Sequence, residues 1–124
     1  MIKDPVTMQK EATVKECVDT LFKFRIGSVI VVDTERRIRG IFTERDLIRV
    51  IAQGISLDTT LADVMSTNVV TVASGSAFGE AKELMRLYRV RRIPVVDSDC
   101  KLVGLVSIRR IIDEFFELIP RTRG

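Results

Sequence analysis

Arg25-Ile26-Gly27-Ser28-Val29-Ile30-Val31-Val32-Asp33 returns 64 residues later as Arg89-Val90-Arg91-Arg92-Ile93-Pro94-Val95-Val96-Asp97. The shared Val-Val-Asp ending fixes the register, and the register holds outward in both directions without a gap. Val6-Thr7 falls on Val70-Thr71, Glu16 on Glu80, Gly40 on Gly104 and Ile48 on Ile112. Conservative pairs fill the intervals: Leu21 with Met85, Phe24 with Tyr88, Thr43 with Ser107. Self-similarity at one fixed spacing is the mark of a duplicated structural unit. The chain therefore reads as two copies, 1–56 and 57–124, joined through about Gly54 to Asp63.

Each copy follows one pattern. A short extended piece, Pro5 to Met8 or Val69 to Val72, precedes an amphipathic helix. In the first copy Val14, Cys17, Val18, Leu21 and Phe22 recur at helical spacing, matched by Phe78, Ala81, Met85 and Tyr88 in the second. Thr13 and Glu16 have the spacing of a capping box at the helix start. β-Branched runs follow, Ser28 to Asp33 and Ile93 to Asp97, then Ile38 to Phe42 and Leu102 to Val106. Between them stand Asp33-Thr34-Glu35-Arg36 and Asp97-Ser98-Asp99-Cys100, whose residue types suit hairpin turns. A second helix, Glu44 to Gln53 or Ile108 to Leu118, closes the unit. The predicted fold is α/β of the α+β type: two β-α-β-β-α repeats related by a pseudo-two-fold axis. A unit of ~60 residues has a marginal core alone, so the copies are expected to pack sheet to sheet.

Composition narrows the chemistry. The chain has 124 residues, 46% of them hydrophobic and 30% charged, enough to bury a core. It contains no histidine, which removes an imidazole base, a Ser-His-Asp triad and histidine metal ligands. Cys17 and Cys100 stand apart, without C-x-x-C spacing. No apolar run approaches the ~18 residues of a membrane helix, and Met1 opens no signal-peptide pattern. A soluble, cytoplasmic, non-enzymatic protein is expected, with no metal and no membrane partner. The net charge of +3, carried mainly by arginine, suits an anionic ligand. Nucleic acid is not the expected one, because there is no Trp, a single Tyr and no evident recognition helix. Gly75-Ser76-Ala77-Phe78-Gly79 has neither G-x-G-x-x-G nor Walker spacing and reads as a helix start.

Three stretches carry a family resemblance. Arg92-Ile93-Pro94-Val95-Val96-Asp97 with Leu102-Val103-Gly104-Leu105-Val106-Ser107 resembles a CBS (cystathionine β-synthase) domain. So do Gly40-Ile41-Phe42-Thr43-Glu44-Arg45-Asp46-Leu47 and Met65-Ser66 leading into Val70-Thr71-Val72. The resemblance spans nearly the whole chain and implies a tandem pair, a Bateman module. Such modules bind adenosine-containing small molecules and regulate an attached or partner protein.

The resemblance implies a ligand set. Thr43 would contact phosphate and Asp46 the ribose hydroxyls, at a helix start whose free N–H groups favour an anion. The same Thr43 and Asp46 spacing also makes a local capping box that needs no ligand, and the two roles are compatible. Arg91, Arg92 and Arg109 would reach phosphate from the second copy, along the strand beginning Ile93-Pro94. Ile26, Val29 and Ile41 would wall the adenine, with Thr7 and Thr71 completing the set. The second copy departs from the pattern: Ser107 keeps the hydroxyl, but Arg110 replaces the aspartate and cannot accept from ribose. Gly27 and Ser28 stand where the second copy has Arg91 and Arg92. One good site and one doubtful site are therefore expected.

The ligand class expected is an adenine nucleotide (AMP, ADP or ATP), with an S-adenosylmethionine-type nucleoside as an alternative. A second alternative is a protein-interaction module with a vestigial site, favoured if Asp46 is inaccessible or bridged to a neighbouring arginine. A homodimer is expected as well. Ile108, Ile111, Ile112, Phe115, Phe116, Leu118 and Ile119 span an arc of roughly 160°, wider than one core contact requires.

Overall fold

The structure, a computed structural model, describes residues 2–76 and 78–107. The first copy supplies β1 (Ile2–Lys3), β2 (Thr7–Met8), α1 (Val14–Phe24), β3 (Ser28–Val32), β4 (Ile38–Thr43) and α2 (Glu44–Ala52). A short α3 (Leu61–Val64) follows, then β5 (Val72–Ala73), α4 (Phe78–Tyr88), β6 (Arg92–Val96) and β7 (Leu102–Ser107). The helix expected over Ile108 to Leu118 lies outside the described residues, and with it Arg109, Arg110 and the Phe115, Phe116, Ile119 arc.

Local chemistry sets the helix ends. At α1 the Thr13 hydroxyl accepts from Glu16 N–H (3.1 Å), while Glu16 Oε1 accepts from Thr13 N–H (3.3 Å), completing the capping box. Val14, Cys17 and Leu21 form the buried stripe. Phe22, expected on that stripe, lies beyond its edge and is 86% exposed. Both long helices stop in the same way: Ile26 N–H donates to Leu21 O (3.1 Å) and Val90 N–H to Met85 O (3.2 Å). Arg25 (φ +54°) and Arg89 (φ +55°) are thereby held left-handed, a conformation that costs a residue with a Cβ ~1–2 kcal/mol.

The hairpin turns are built alike. Asp33 Oδ1 accepts from Glu35 N–H (2.8 Å) and Arg37 N–H (3.0 Å), and Asp97 Oδ1 from Asp99 N–H (2.9 Å) and Lys101 N–H (3.0 Å). The Arg37 N–H, more than that of Glu35, holds the Asp33 carboxyl below the ordinary carboxylate range. Its contribution to stability is present at neutral pH and is lost as pH falls through that lowered value.

Two sheets result. One runs β2-β3-β4, the other β1-β7-β6-β5. In each, a helix connects two parallel strands and a hairpin adds the antiparallel third. The sheets meet face to face through Ile30, Val32, Leu102 and Leu105, flanked by Ile38 and Ile41. The opposite face of the first sheet carries Val29, Val31 and Phe42 against α1 and α2. At ~1.5–3 kcal/mol per buried aliphatic side chain, the inter-sheet cluster alone contributes on the order of 10 kcal/mol, comparable to a whole domain's net stability. The two copies stabilise each other as one unit.

Main-chain pairing crosses between the copies too. β1 of the first pairs with β7 of the second, Ile2 opposite Leu105 and Lys3 opposite Gly104. Reciprocally, Ile41 and Ser66 exchange N–H to O bonds of 2.9 and 3.0 Å. Shifting either pairing by the repeat length turns it into the other. The hairpin tips meet where Arg37 bridges Lys101, a pair that the same shift maps onto itself, so the pseudo-two-fold axis passes there. The helix α3 buries Leu61 and Val64 in the first copy's core.

Gly40 sits under this crossing. A Cβ there would lie 2.6 Å from Met65 Sδ and 2.9 Å from the main-chain Ser66 O. We expect Gly40→Ala to cost about 1–3 kcal/mol, read as a lower denaturant midpoint; an unchanged midpoint would show that the crossing yields freely. Burial pushes the Cys17 thiol up to about 11, while Cys100 is exposed. A maleimide at pH 7.5 should therefore label one thiol per folded chain and the second only after denaturation.

Candidate functional site

Where β3 begins and α2 begins, the two copies come together. Glu44 N–H donates to Gly27 O (3.1 Å), tying the first turn of α2 to the chain just past α1. Over this junction opens a cleft of about 590 Å³ lined by Leu21, Phe22, Lys23, Arg25, Ile26, Gly27, Glu44 and, from the second copy, Arg92. Its size is in the range of small-molecule sites. Three cations against one carboxylate make it attractive to an anion, and the Arg92 guanidinium rests directly over Gly27.

Of the residues expected from sequence, Ile26 and Arg92 line this cleft. Arg91 is exposed just before β6. Thr43 and Asp46 stand one residue before and two after Glu44, at the N-terminus of α2. There Asp46 Oδ2 accepts from Thr43 N–H (2.9 Å) and Thr43 Oγ1 (3.1 Å), and Thr43 Oγ1 accepts from Asp46 N–H (3.3 Å). The capping box is thus complete. Asp46 Oδ1 accepts from Ser66 Oγ (3.1 Å) and lies 3.5 Å from Arg49 Nη2, which itself donates to Val64 O (2.6 Å). Asp46 is only 8% exposed. It clasps the segment that crosses from the second copy.

Other expected residues lie away from this cleft. Val29 and Ile93 are fully buried and face the helix layer. Pro94 is also fully buried, opposite Leu105. Ile41 is half-buried in the inter-sheet cluster. Thr7 is half-buried in the ladder opposite Ile30, Thr71 is exposed before β5, and Ser107 is half-buried opposite Arg92. None of these lines the basic cleft. Sequence reasoning missed Leu21, Phe22, Lys23, Arg25, Gly27 and Glu44 as lining residues. A signal existed: Gly27 aligns with Arg91, which marks a place where one copy leaves room and the other fills it.

The clasp makes Asp46 structural whatever else it does. Asp46→Ala removes a helix cap and the partner of Ser66, and should cost about 1–3 kcal/mol by chemical denaturation. Ser66→Ala should cost about 0.5–1.5 kcal/mol. If Asp46→Ala unfolds at the unmodified denaturant concentration, the clasp is not a stabilising feature.

Comparison with known proteins accords with this architecture. The family model "CBS domain" matches residues 1–53 and 61–117. An inosine-5'-monophosphate dehydrogenase of Aquifex aeolicus is 36% identical over 113 residues, covering 90% of this chain but 23% of the dehydrogenase. The chain thus spans less than a quarter of that relative. Among solved structures, the CBS domain protein PAE2072 from Pyrobaculum aerophilum, complexed with AMP, superposes with a TM-score of 0.83 at 29% identity, covering 89% of this chain and 85% of that one. The CBS domain pair of protein MJ0100, in complex with 5'-methylthioadenosine and S-adenosyl-L-methionine, gives 0.86 at 27% identity over 94% and 91% of the two chains. With the family model matching both repeats and the fold shared with solved CBS pairs, the chain belongs to the CBS domain family and is a tandem CBS pair.

Proposed function

We propose that this chain is a regulatory, non-enzymatic module that binds an adenine nucleotide in the cleft between its copies and controls a partner protein. The supporting observation is the placement of Arg92 of one copy over Gly27 of the other, beside Lys23, Arg25 and the α2 N-terminus. Charged donors converging on a helix start suit a phosphate. The two similar structures hold AMP in one case and S-adenosyl-L-methionine with 5'-methylthioadenosine in the other, all built on adenosine. The arginines favour the phosphorylated member of that class. For Asp46 to receive ribose, a sugar hydroxyl takes the place of Ser66 Oγ on Oδ1. One O–H donor is exchanged for another, a step close to neutral in energy.

A second reading has an observation of its own. Asp46 is buried and lies against Arg49, the arrangement expected of a protein-interaction module with a vestigial site. Both readings are compatible with a homodimer, which we also propose. Phe22, Ile48, Ile51 and Leu87 stand exposed on α1, α2 and α4, where apolar side chains gain from a partner surface. Sedimentation at tens of micromolar should give a dimer, and a monomer would dismiss that assembly.

Thermal shifts with AMP, ADP, ATP, adenosine, S-adenosylmethionine and NAD separate the readings. At a hundred times its dissociation constant a ligand adds ~2.7 kcal/mol, on the order of 10 °C for a chain of this size. We expect AMP to exceed adenosine by roughly thirty- to a thousandfold in affinity, from two charge-assisted contacts of ~1–2 kcal/mol each, and to weaken with salt. No shift with any compound would favour the interaction module.

A further inference from the structure

The two copies are not equivalent at the junction where Arg92 crosses. A Cβ at position 27 would collide with Arg92 Nη2 and lie 2.8 Å from Glu44 Oε1. The guanidinium therefore occupies space that exists only because residue 27 has no side chain. Under the 64-residue shift the corresponding pair is Arg91 in place of Gly27 and Ser28 in place of Arg92. There the long side chain stands where the first copy leaves a hollow, and a short, buried serine stands where the second sends its arginine. The exchange is reciprocal: the hollow and the guanidinium that fills it are found at one of the two junctions.

We propose that Gly27 is the positioning residue for anion recognition: its missing Cβ seats the Arg92 guanidinium in the cleft, so that the phosphate of the ligand is read at this junction. This rests on the nucleotide reading above for the identity of the ligand, but not for the anion site itself. Glu44 Oε1 borders the same hollow. The backbone of Gly27 is not left-handed, so an alanine is compatible with its conformation. The atoms it would strike, Arg92 Nη2 and Glu44 Oε1, end flexible side chains. Gly27→Ala therefore moves the arginine and spares the fold. A position kept small for packing alone would behave in the opposite way.

The experiment compares the unmodified chain, Gly27→Ala, Arg92→Gln and the double variant, titrated with AMP, adenosine and inorganic pyrophosphate. Gly27→Ala should melt within about 2 °C of the unmodified chain, as a tolerated substitution does. It should weaken AMP and pyrophosphate about tenfold or more, the effect of losing a charge-assisted contact, while adenosine changes less than about threefold. In the Arg92→Gln background the same substitution should have no further effect on any of the three, because the group it displaces is gone. The proposal is overturned if Gly27→Ala leaves AMP and pyrophosphate affinity intact, lowers them equally in both backgrounds, or lowers the melting temperature sharply. If neither AMP nor adenosine binds but pyrophosphate does, and Gly27→Ala weakens it, the nucleotide reading falls and the positioning role stands. Absence of binding by all three probes overturns both.

Discussion

The reciprocal main-chain pairing between the copies is the constraint on which the rest depends. Ile2 and Lys3 complete the sheet of the second copy, and Ser66 bonds to Ile41 of the first. These pairs hold the two sheets at a fixed register, which places Ile30 and Val32 against Leu102 and Leu105. A slip of one residue in β3 would turn Val29 and Val31 to that interface and Ile30 toward the helices. The same register carries the start of β6 to the junction of β3 and α2, so Arg92 reaches Gly27 only because the ends are exchanged. Gly40 is small because the exchanged segment passes over it.

The architecture was legible because it is written twice. The shared spacing exposed the repeat, the capping box at Thr13 and Glu16 marked α1, and the Asp-led turns marked the hairpins. The site was less legible, for a physical reason. Every residue from Ser28 to Val32 is buried, since both faces of that strand are covered. Alternation along such a run separates the two faces but does not say which one meets helices and which meets the other sheet. For the same reason the sequence alone does not say whether Val29 faces a ligand, the helices or the other sheet. The partner of Asp46 was hidden for another reason: Ser66 is twenty residues away, and only the crossing of the linker brings it near. Gly27 drew notice as a gap in the arginine pattern, but the side chain that fills the gap belongs to the other copy.

Asp46 shows how one carboxylate serves two layers of organisation. It caps α2 through Thr43, and through Ser66 and Arg49 it holds the crossing segment and the short helix arriving from the second copy. A ligand hydroxyl that displaced Ser66 would act on the crossing segment as well as on the ligand's own site. On the proposed reading, the carboxylate lies at a point where local helix chemistry, pairing of the copies and ligand recognition share atoms, which would give a physical route from binding to a change in the module.

Arg25 and Arg89 sit in the same left-handed turn, one at the end of each long helix. Duplication copied the strained backbone along with the side chain, yet of the two only Arg25 lines the basic cleft. For anyone seeking a hardier version of the protein the two positions therefore carry different risks: glycine at 89 relieves a backbone cost without touching the cleft, whereas glycine at 25 exchanges part of the cleft's charge for thermal endurance.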